Sequence, residues 1–401
     1  MMAQAQGQFT CRWAALSLSN IASVFLPDLL LPRESSASIK HELVSVSTTG
    51  GASRAADWLT QHKIPNAESV TIYHSWEEML EKGDFDVVYI STPHPLHYAH
   101  VQKALRCKRN VLVEKPATMN RAQFIQLCQL AKEGDVVLME AMWTRYLPAT
   151  LHFQHELLPR IGEVKRVYAE FSFPIVSPDL SHESRFLDKA AGAGSLLDQG
   201  VYALTWADLA LNGLPSGQDR TQTEVVHAHS MPVPGVHGEV DDINTVILAK
   251  VKNDDSGSKR QEAVAIVTTS MTLPGSSKPA FYQRLQATKA APAVRIEATK
   301  ASVSIPFPPI RPQELLVQWY DEEHLDENGM ETEEVVKMPV ERGWGIWYQA
   351  DVIAERVARR KGGSQGMGEV IGEEESGRVI GWMDRAREMA GIVYDPALEE
   401  V

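Results

Sequence analysis

The sequence predicts an α/β protein of two domains, the first built on a doubly wound parallel sheet and the second on an open, mostly antiparallel sheet. Three observations support this. Up to about residue 145, strand-like apolar runs alternate with stretches of helical spacing. Beyond that point, strands follow one another with few helices between them. The 401 residues also exceed the usual single domain, so two domains sharing an interface are expected. The pattern assigns 8–145 to the first domain and 146–395 to the second.

The elements follow in order. Trp13–Leu16 is a short apolar strand, Asn20 is placed to cap a helix, and that helix runs to about Leu31 with Pro27 as a kink. Glu42–Ser47 alternates as a strand and Ser53–His62 is helical. Ser69–Tyr73 is a strand, and Ser75-Trp76-Glu77-Glu78 is a capping box that opens the next helix. Phe85–Ile90 is nearly continuously apolar, as in a sheet buried on both faces. A helix from about His97 leads to strand Asn110–Val113; Asn120 then caps a helix to about Glu133, followed by strand Val136–Ala141. In the second domain Glu163–Phe173 is a long strand and Gly194–Leu211 is helical. Strands follow at Thr223–His229, Asn244–Val251, Ala263–Met271, Ala293–Glu297, Ser302–Ile305 and Glu314–Tyr320. Asn253–Glu262 reads as a polar hairpin loop. Gly343–Arg360 and Glu374–Ala390 read as closing helices across a glycine-rich stretch at 362–368, with Trp344 and Trp347 as packing aromatics.

Composition excludes several functions. A net charge of −13 with no long basic run argues against nucleic-acid binding. No apolar run approaches the ~18 residues of a membrane span. Trp13–Leu31 lacks the basic flank of a signal peptide and is interrupted by Asp28. Cys11, Cys107 and Cys128 are too scattered for a disulfide framework or a zinc site; buried free thiols in the cytosol are the expectation, with no metal.

Three motifs carry the chemistry. Glu114-Lys115-Pro116 directly follows the strand Asn110–Val113, where a parallel sheet presents its ligand site. Met139-Glu140-Ala141-Met142-Trp143-Thr144-Arg145-Tyr146 closes the first domain. Gly192-Ala193-Gly194-Ser195-Leu196-Leu197-Asp198-Gln199-Gly200-Val201-Tyr202 carries a carboxylate and a phenol four residues apart, hence on one helix face.

With these motifs in order, the chain resembles the Gfo/Idh/MocA oxidoreductases, most of all the branch of dihydrodiol dehydrogenases and NADP-dependent D-xylose 1-dehydrogenases in its fungal form. The resemblance runs from about Phe9 to Ala390. It implies an N-terminal Rossmann domain, a C-terminal α/β domain with an open antiparallel sheet, and dimers or tetramers formed through that sheet, a homodimer being the expectation here. It also implies hydride transfer between a nicotinamide and a sugar or alcohol carbon. By match, Lys115 is the catalytic lysine, with Asp198 and Tyr202 as partners. The loop Thr92–His97, with Thr92, Pro93 and His97, lines the nicotinamide end beside Glu114.

The residue types suit that reaction. Oxidising a hydroxyl requires a base for its proton, and a phenol with a reference pKa of about 10 is helped by a nearby ammonium. Lys115 can do this, or can polarise a carbonyl in the reductive direction. Asp198 can orient the lysine or grip a substrate hydroxyl. His94 and His97 either touch nicotinamide or substrate or hold a turn and a helix start. Trp143 and Arg145 are candidate substrate contacts, although Arg145 and Tyr146 are better suited to tying the domains together than to chemistry.

The cofactor loop departs from its pattern. After the first strand, Ser17 and Ser19 stand where glycines let the backbone approach a pyrophosphate; Asn20, Ile21 and Ala22 complete the turn. Ser19 is the graver change, because its side chain enters phosphate space and a positive φ there would be strained. At the end of the second strand Thr48 and Thr49 offer no acidic residue for a ribose, whereas Arg54 suits a 2′-phosphate or is a solvated helix residue. NADP is therefore favoured over NAD. The serine loop leaves three readings open: an NADP-dependent oxidoreductase acting on a sugar or diol, a redox-neutral isomerase, lyase or cyclase, and a non-catalytic binding protein.

Overall fold

The computed structural model describes residues 8–32, 38–177, 179–181, 183–213, 221–236, 239–253, 259–277, 292–362 and 368–401. The tip of the expected polar hairpin (254–258) and most of the glycine-rich stretch (363–367) lie outside the described residues. The chain forms two compact units: Met1–Trp143 with Glu341–Gly377 and Glu400–Val401, and Thr144–Val340 with Arg378–Glu399.

In the first unit β1 (Phe9–Leu16), α1 (Ala22–Leu29), β2 (Ile39–Ser47), α2 (Gly51–Gln61), β3 (Thr71–Tyr73), α3 (Trp76–Lys82), β4 (Val87–Ile90), α4 (His94–Arg106), β5 (Asn110–Val113), α5 (Arg121–Gly134) and β6 (Val137–Glu140) alternate without exception. The expected caps form where a side-chain oxygen can reach a free N–H. Ser75 Oγ accepts from Glu78 N–H at 3.0 Å, and Asn120 Oδ1 accepts from Gln123 N–H at 2.9 Å. Asn20 does not cap α1; the acceptor for Ala22 N–H is Ser19 Oγ at 3.3 Å. The helix after β4 begins at His94 rather than His97, with Pro95 in its first turn, where the missing N–H costs nothing.

The second unit opens with α6 (Pro148–His152), then β7 (Val164–Ser172), a π-helical turn at Leu196–Gly200 running into α7 (Val201–Asn212), and the strands β8 (Thr221–Pro232), β9 (Asp241–Asn253), β10 (Lys259–Ser270), β11 (Val294–Ala298), β12 (Ala301–Ile305), β13 (Glu314–Trp319) and β14 (Thr332–Lys337). They form one sheet in the order β14-β13-β12-β11-β7-β10-β9-β8, antiparallel except for β7 beside β10. α7 packs on one face of this sheet through β7 and β10. Strand β14 went unmarked by the sequence because Thr-Glu-Glu-Val-Val-Lys is half-exposed or exposed throughout and has no buried face to set a period.

α8 (Trp347–Lys361) and β15 (Glu369–Ile371) belong to the first unit, although sequence order puts them in the second domain. β15 pairs in parallel with β6, giving a seven-stranded parallel sheet in the order β15-β6-β5-β4-β1-β2-β3. Buried polar contacts tie this segment in. Asp28 accepts from Trp344 N–H at 2.6 Å and from Ile346 N–H at 2.8 Å, capping the start of α8. The Trp13 indole N–H donates to His41 Nδ1 at 2.9 Å, and His41 Nε2 lies 2.8 Å from Asp351 on α8. Because tryptophan only donates, Nδ1 is the acceptor and Nε2 carries the proton toward Asp351. Trp347 is buried as expected, but Trp344 is 53% exposed, so only one of that pair packs. α9 (Glu373–Ala390) follows. Cys11 and Cys128 are buried free thiols and Cys107 is half-buried. No helix among the described residues is long and apolar enough to cross a membrane.

Candidate functional site

In the first unit the strand order reverses between β4 and β1, and the crevice beyond their carboxyl ends is where such sheets hold ligands. Three serines meet there. Ser19 Oγ donates to Ser91 Oγ at 2.9 Å, and Ser91 Oγ also reaches the Ser17 carbonyl at 3.3 Å. The left-handed residue of the loop is Ser17, at φ 81°, and not Ser19. The departure at Ser19 is instead one of hydrogen bonding, since its hydroxyl occupies the N–H at the start of α1. Asn20 and Ile21 are exposed at the loop's end. The residues fit a dinucleotide phosphate: a helix N-terminus, the Ser19 and Ser91 hydroxyls and a left-handed turn at Ser17 converge on one crevice.

At the end of β2, Thr48 is half-buried, and its hydroxyl accepts from Gly50 N–H at 3.5 Å. Arg54, exposed in the first turn of α2, folds back so that its Cδ fills the space a Cβ on Gly50 would need. Its charge thus lies over the loop after β2 rather than pointing straight to solvent.

The loop carrying Lys115 is held by three buried side chains. Glu114 turns inward, accepting from the Tyr89 phenol at 2.7 Å and from Lys115 N–H at 3.2 Å; burial raises its pKa. Glu140 accepts from Ala117 N–H at 2.9 Å and from Ser376 Oγ at 2.5 Å. His97 is fully enclosed, with Nδ1 at 2.9 Å from the Pro116 carbonyl and Nε2 at 2.7 Å from the Thr92 carbonyl. Burial pushes its pKa down to about 4, outweighing the pull of those two carbonyls. The Lys115–Pro116 bond is cis, and Lys115 itself is half-buried. The Thr92 hydroxyl bonds His100 Nδ1 at 3.0 Å, Pro93 is exposed, and His94 is buried with its ring 5.8 Å from that of His97. Trp143, 6% exposed, is the last residue of this part of the unit.

The second unit carries Asp198 and Tyr202 across the junction of the π-helical turn and α7. Asp198 lies in the π-helical turn and Tyr202 in the first turn of α7, edge-on to Phe171 at 5.6 Å. Such widened turns recur at functional sites. Their position is set from β9: Asp241 Oδ2 accepts from Leu196 N–H at 2.8 Å and from Asn244 Nδ2 at 2.7 Å. Gly194, at φ +145°, must lack a side chain, because a Cβ there would collide with Asp241 Oδ1 and stand 2.9 Å from the Tyr394 hydroxyl. Arg145 is committed to Asp208 on α7, at 2.9 Å and with 11% of its side chain exposed, and Arg378 shares that carboxylate. Arg145 therefore braces a helix inside the second unit.

Lys115 thus stands in the first unit, and Asp198 and Tyr202 in the second. The sequence places Ser91 at a ligand-binding strand end but gives it no role, and it passes over Arg185 and Asp241. Arg185, bonded to Asp198 at 3.3 Å, lies in a segment with no periodicity and gave no signal. Among the described residues, Asp321, Glu323 and His324 bring ligand atoms within 4.8 Å of one another. His324 there pairs with Asp321 and stacks on Trp319 at 4.0 Å, which accounts for the grouping.

Comparison with known proteins agrees with this architecture. Residues 20–142 match the Gfo/Idh/MocA oxidoreductase family model with its NAD-binding Rossmann fold, and 159–303 match the Gfo/Idh/MocA C-terminal domain. An NADP-dependent D-xylose 1-dehydrogenase of Hypocrea jecorina is 30% identical over 312 residues, which is 76% of this chain and 74% of the relative. A trans-1,2-dihydrobenzene-1,2-diol dehydrogenase of Danio rerio is 35% identical over 204 residues, 50% of this chain and 56% of that one. Among solved structures, the 3-ketoreductase KijD10 of Actinomadura kijaniata, in complex with NADP, superposes with a TM-score of 0.69 at 21% identity, covering 95% of this chain and 98% of its own. At that identity the likeness concerns the fold. The chain therefore belongs to the Gfo/Idh/MocA oxidoreductase family and is an enzyme of the dehydrogenase type that acts on CH–OH groups.

Proposed function

We propose that the protein is an NADP-dependent dehydrogenase that acts on a sugar or a vicinal diol, D-xylose and trans-dihydrodiols being the representative substrates. The observation that carries this is the loop at Lys115: His97, Glu114 and Glu140 are all spent on fixing the backbone around a half-buried lysine at the carboxyl ends of parallel strands. A structure that over-determines one cation at that place supports a chemical role for it. NADP rather than NAD is favoured by Arg54 over the β2 loop, the absence of an acidic residue at Thr48 or Thr49, and the named cofactor of the xylose-oxidising relative.

The nicotinamide, when bound, supplies the hydride acceptor or donor. The start of α1 with the Ser17 turn and Ser91 holds the pyrophosphate once Ser19 Oγ gives up the Ala22 N–H, and the Thr92–His97 segment lines the other end. Lys115 polarises the reacting oxygen, and Tyr202 takes or returns the hydroxyl proton. Asp198 accepts from substrate hydroxyls. Redox-neutral chemistry and a purely binding role are less favoured, because the serine loop keeps the helix N-terminus and its hydroxyl lining, and both relatives named above are dehydrogenases. A cytosolic location accompanies this reading, as does a homodimer through the open face of the second sheet. There, one cross-strand row runs Ile247, Ile266, Tyr168, Arg295, Ser304, Leu316 and Val335, with Tyr168, Arg295 and Val335 exposed.

The test is titration with NADPH and NADH, followed by oxidation of D-xylose and diols with NADP. Micromolar, NADPH-selective binding is expected, and Lys115→Met should abolish turnover by about 10³-fold or more while NADPH still binds. Undiminished turnover in Lys115→Met removes the lysine from the chemistry, and absence of binding at millimolar NADPH overturns the dehydrogenase reading.

A further inference from the structure

The second unit sets a guanidinium against the carboxylate that the chemistry needs. Arg185 lies on the single turn Arg185–Leu187, held by the Ser184 hydroxyl, which accepts from Phe186 N–H at 3.4 Å. Its Nη1 and Nη2 donate to the two carboxylate oxygens of Asp198 at 3.3 and 3.4 Å, and its Cζ stands 4.0 Å from the centre of the Phe186 ring. The side chain of Asp198 is 5% exposed and that of Arg185 44%. A fork on a carboxylate normally closes to about 2.7–2.9 Å, so this pair is loosely seated. A guanidinium has five N–H donors, and two are spent here. No further protein acceptor of this guanidinium is found among the described residues.

A carboxylate only accepts hydrogen bonds and a guanidinium only donates them, whereas a hydroxyl does both. Two neighbouring hydroxyls therefore satisfy such a pair completely: each O–H donates to a carboxylate oxygen while each oxygen accepts an N–H. A lone alcohol satisfies half of it. An anionic ligand would have to displace Asp198 from the fork, and a cationic one would face Arg185. We propose that Arg185 and Asp198 form a donor–acceptor array that reads two vicinal hydroxyls of the substrate, which makes Arg185 a specificity-determining residue. This rests on the dehydrogenase reading above for the role of the site, and it assigns recognition of the hydroxyl pair to Arg185 together with Asp198.

Binding rather than turnover tests it, using the intact chain with NADPH, which allows no oxidation of an alcohol. The probes are trans-1,2-cyclohexanediol and cyclohexanol, followed by calorimetry or ligand-observed NMR. The wild type should bind the diol about tenfold or more tighter than the mono-alcohol, and both Arg185→Gln and Arg185→Lys should bring that ratio toward one. Arg185→Lys keeps a charge opposite Asp198 but lacks the planar fork, so it should retain the thermal midpoint without retaining the discrimination. Recovery of the discrimination together with the midpoint in Arg185→Lys would mean a merely structural ion pair. That result overturns the proposal, as does a wild type with no diol preference or no measurable binding of either probe. Failure of the dehydrogenase reading would look different: no NADP reduction with any alcohol, yet a diol preference that still depends on Arg185.

Discussion

Ser17 and Ser19 replace loop glycines in two different physical ways. Ser17 adopts the left-handed conformation at φ 81°, which costs a residue with a Cβ about 1–2 kcal/mol. That cost falls on the fold. Ser19 is unstrained but donates to Ser91 and accepts from Ala22 N–H, so a phosphate must displace its hydroxyl to reach the helix N-terminus. Ser19→Gly should therefore tighten NADPH binding by about three- to tenfold, the worth of one exchanged hydrogen bond, and Ser17→Gly should chiefly raise the thermal midpoint. Fluorescence titration of both variants distinguishes them. Weaker binding by Ser19→Gly would mean that the hydroxyl turns round and donates to the phosphate.

At the scale of elements, the Lys115 loop works as a clamp between β4, β5 and β6, and His97 is its least solvated part. A neutral imidazole donates to one carbonyl only, and burial holds this one neutral, with a pKa lowered from 6.5 to about 4. Because the folded value lies below the unfolded one, the stability it contributes is complete above about pH 6.5 and is lost as pH falls toward 4. At about 1.4 kcal/mol per unit this amounts to roughly 3 kcal/mol at pH 4. Glu114 beneath the same loop has the opposite sign. Its pKa is raised by burial, so its ionisation at neutral pH costs stability that returns on acidification. Comparing His97→Gln with the wild type cancels that contribution. Between pH 6.5 and 4.5 denaturant midpoints should fall more steeply for the wild type, and parallel curves would remove His97 as the source.

For the whole molecule, the open face of the eight-stranded sheet is the surface that a monomer leaves costly. Val335 is 50% exposed and Tyr168 38%, in one row with Ile247, Ile266 and Leu316 that Arg295 and Ser304 interrupt, while Arg166 and Glu297 pair beside it. A homodimer would cover that row. Sedimentation velocity should show a dimer at micromolar concentration, and Tyr168→Asp should shift it toward monomer by burying an unpaired charge. A wild type that sediments as a monomer at high concentration would leave this face without a partner copy.

Much of this was legible in the sequence because local patterns encode it. Alternating periods marked β1 to β6 and most of the second sheet; Ser75 and Asn120 announced their helices; and Glu114-Lys115-Pro116, Trp143-Thr144-Arg145-Tyr146 and Gly192–Tyr202 together pointed to one family. Pairings across long separations were not legible. β15 joins β6, and α8 is capped by Asp28 more than 300 residues earlier, because a three-residue strand and a buried carboxylate carry no period of their own. The same holds at the sites. The sequence by itself determined which side chains are available: a lysine after β5, a carboxylate and a phenol before and within α7, and serines in place of glycines. The tertiary structure decided what each is free to do. It put the positive φ on Ser17, gave Ser19 to a helix N–H, spent Arg145 on Asp208 and set Arg185 against Asp198, since a polar group's role depends on which partner reaches it when the chain is packed.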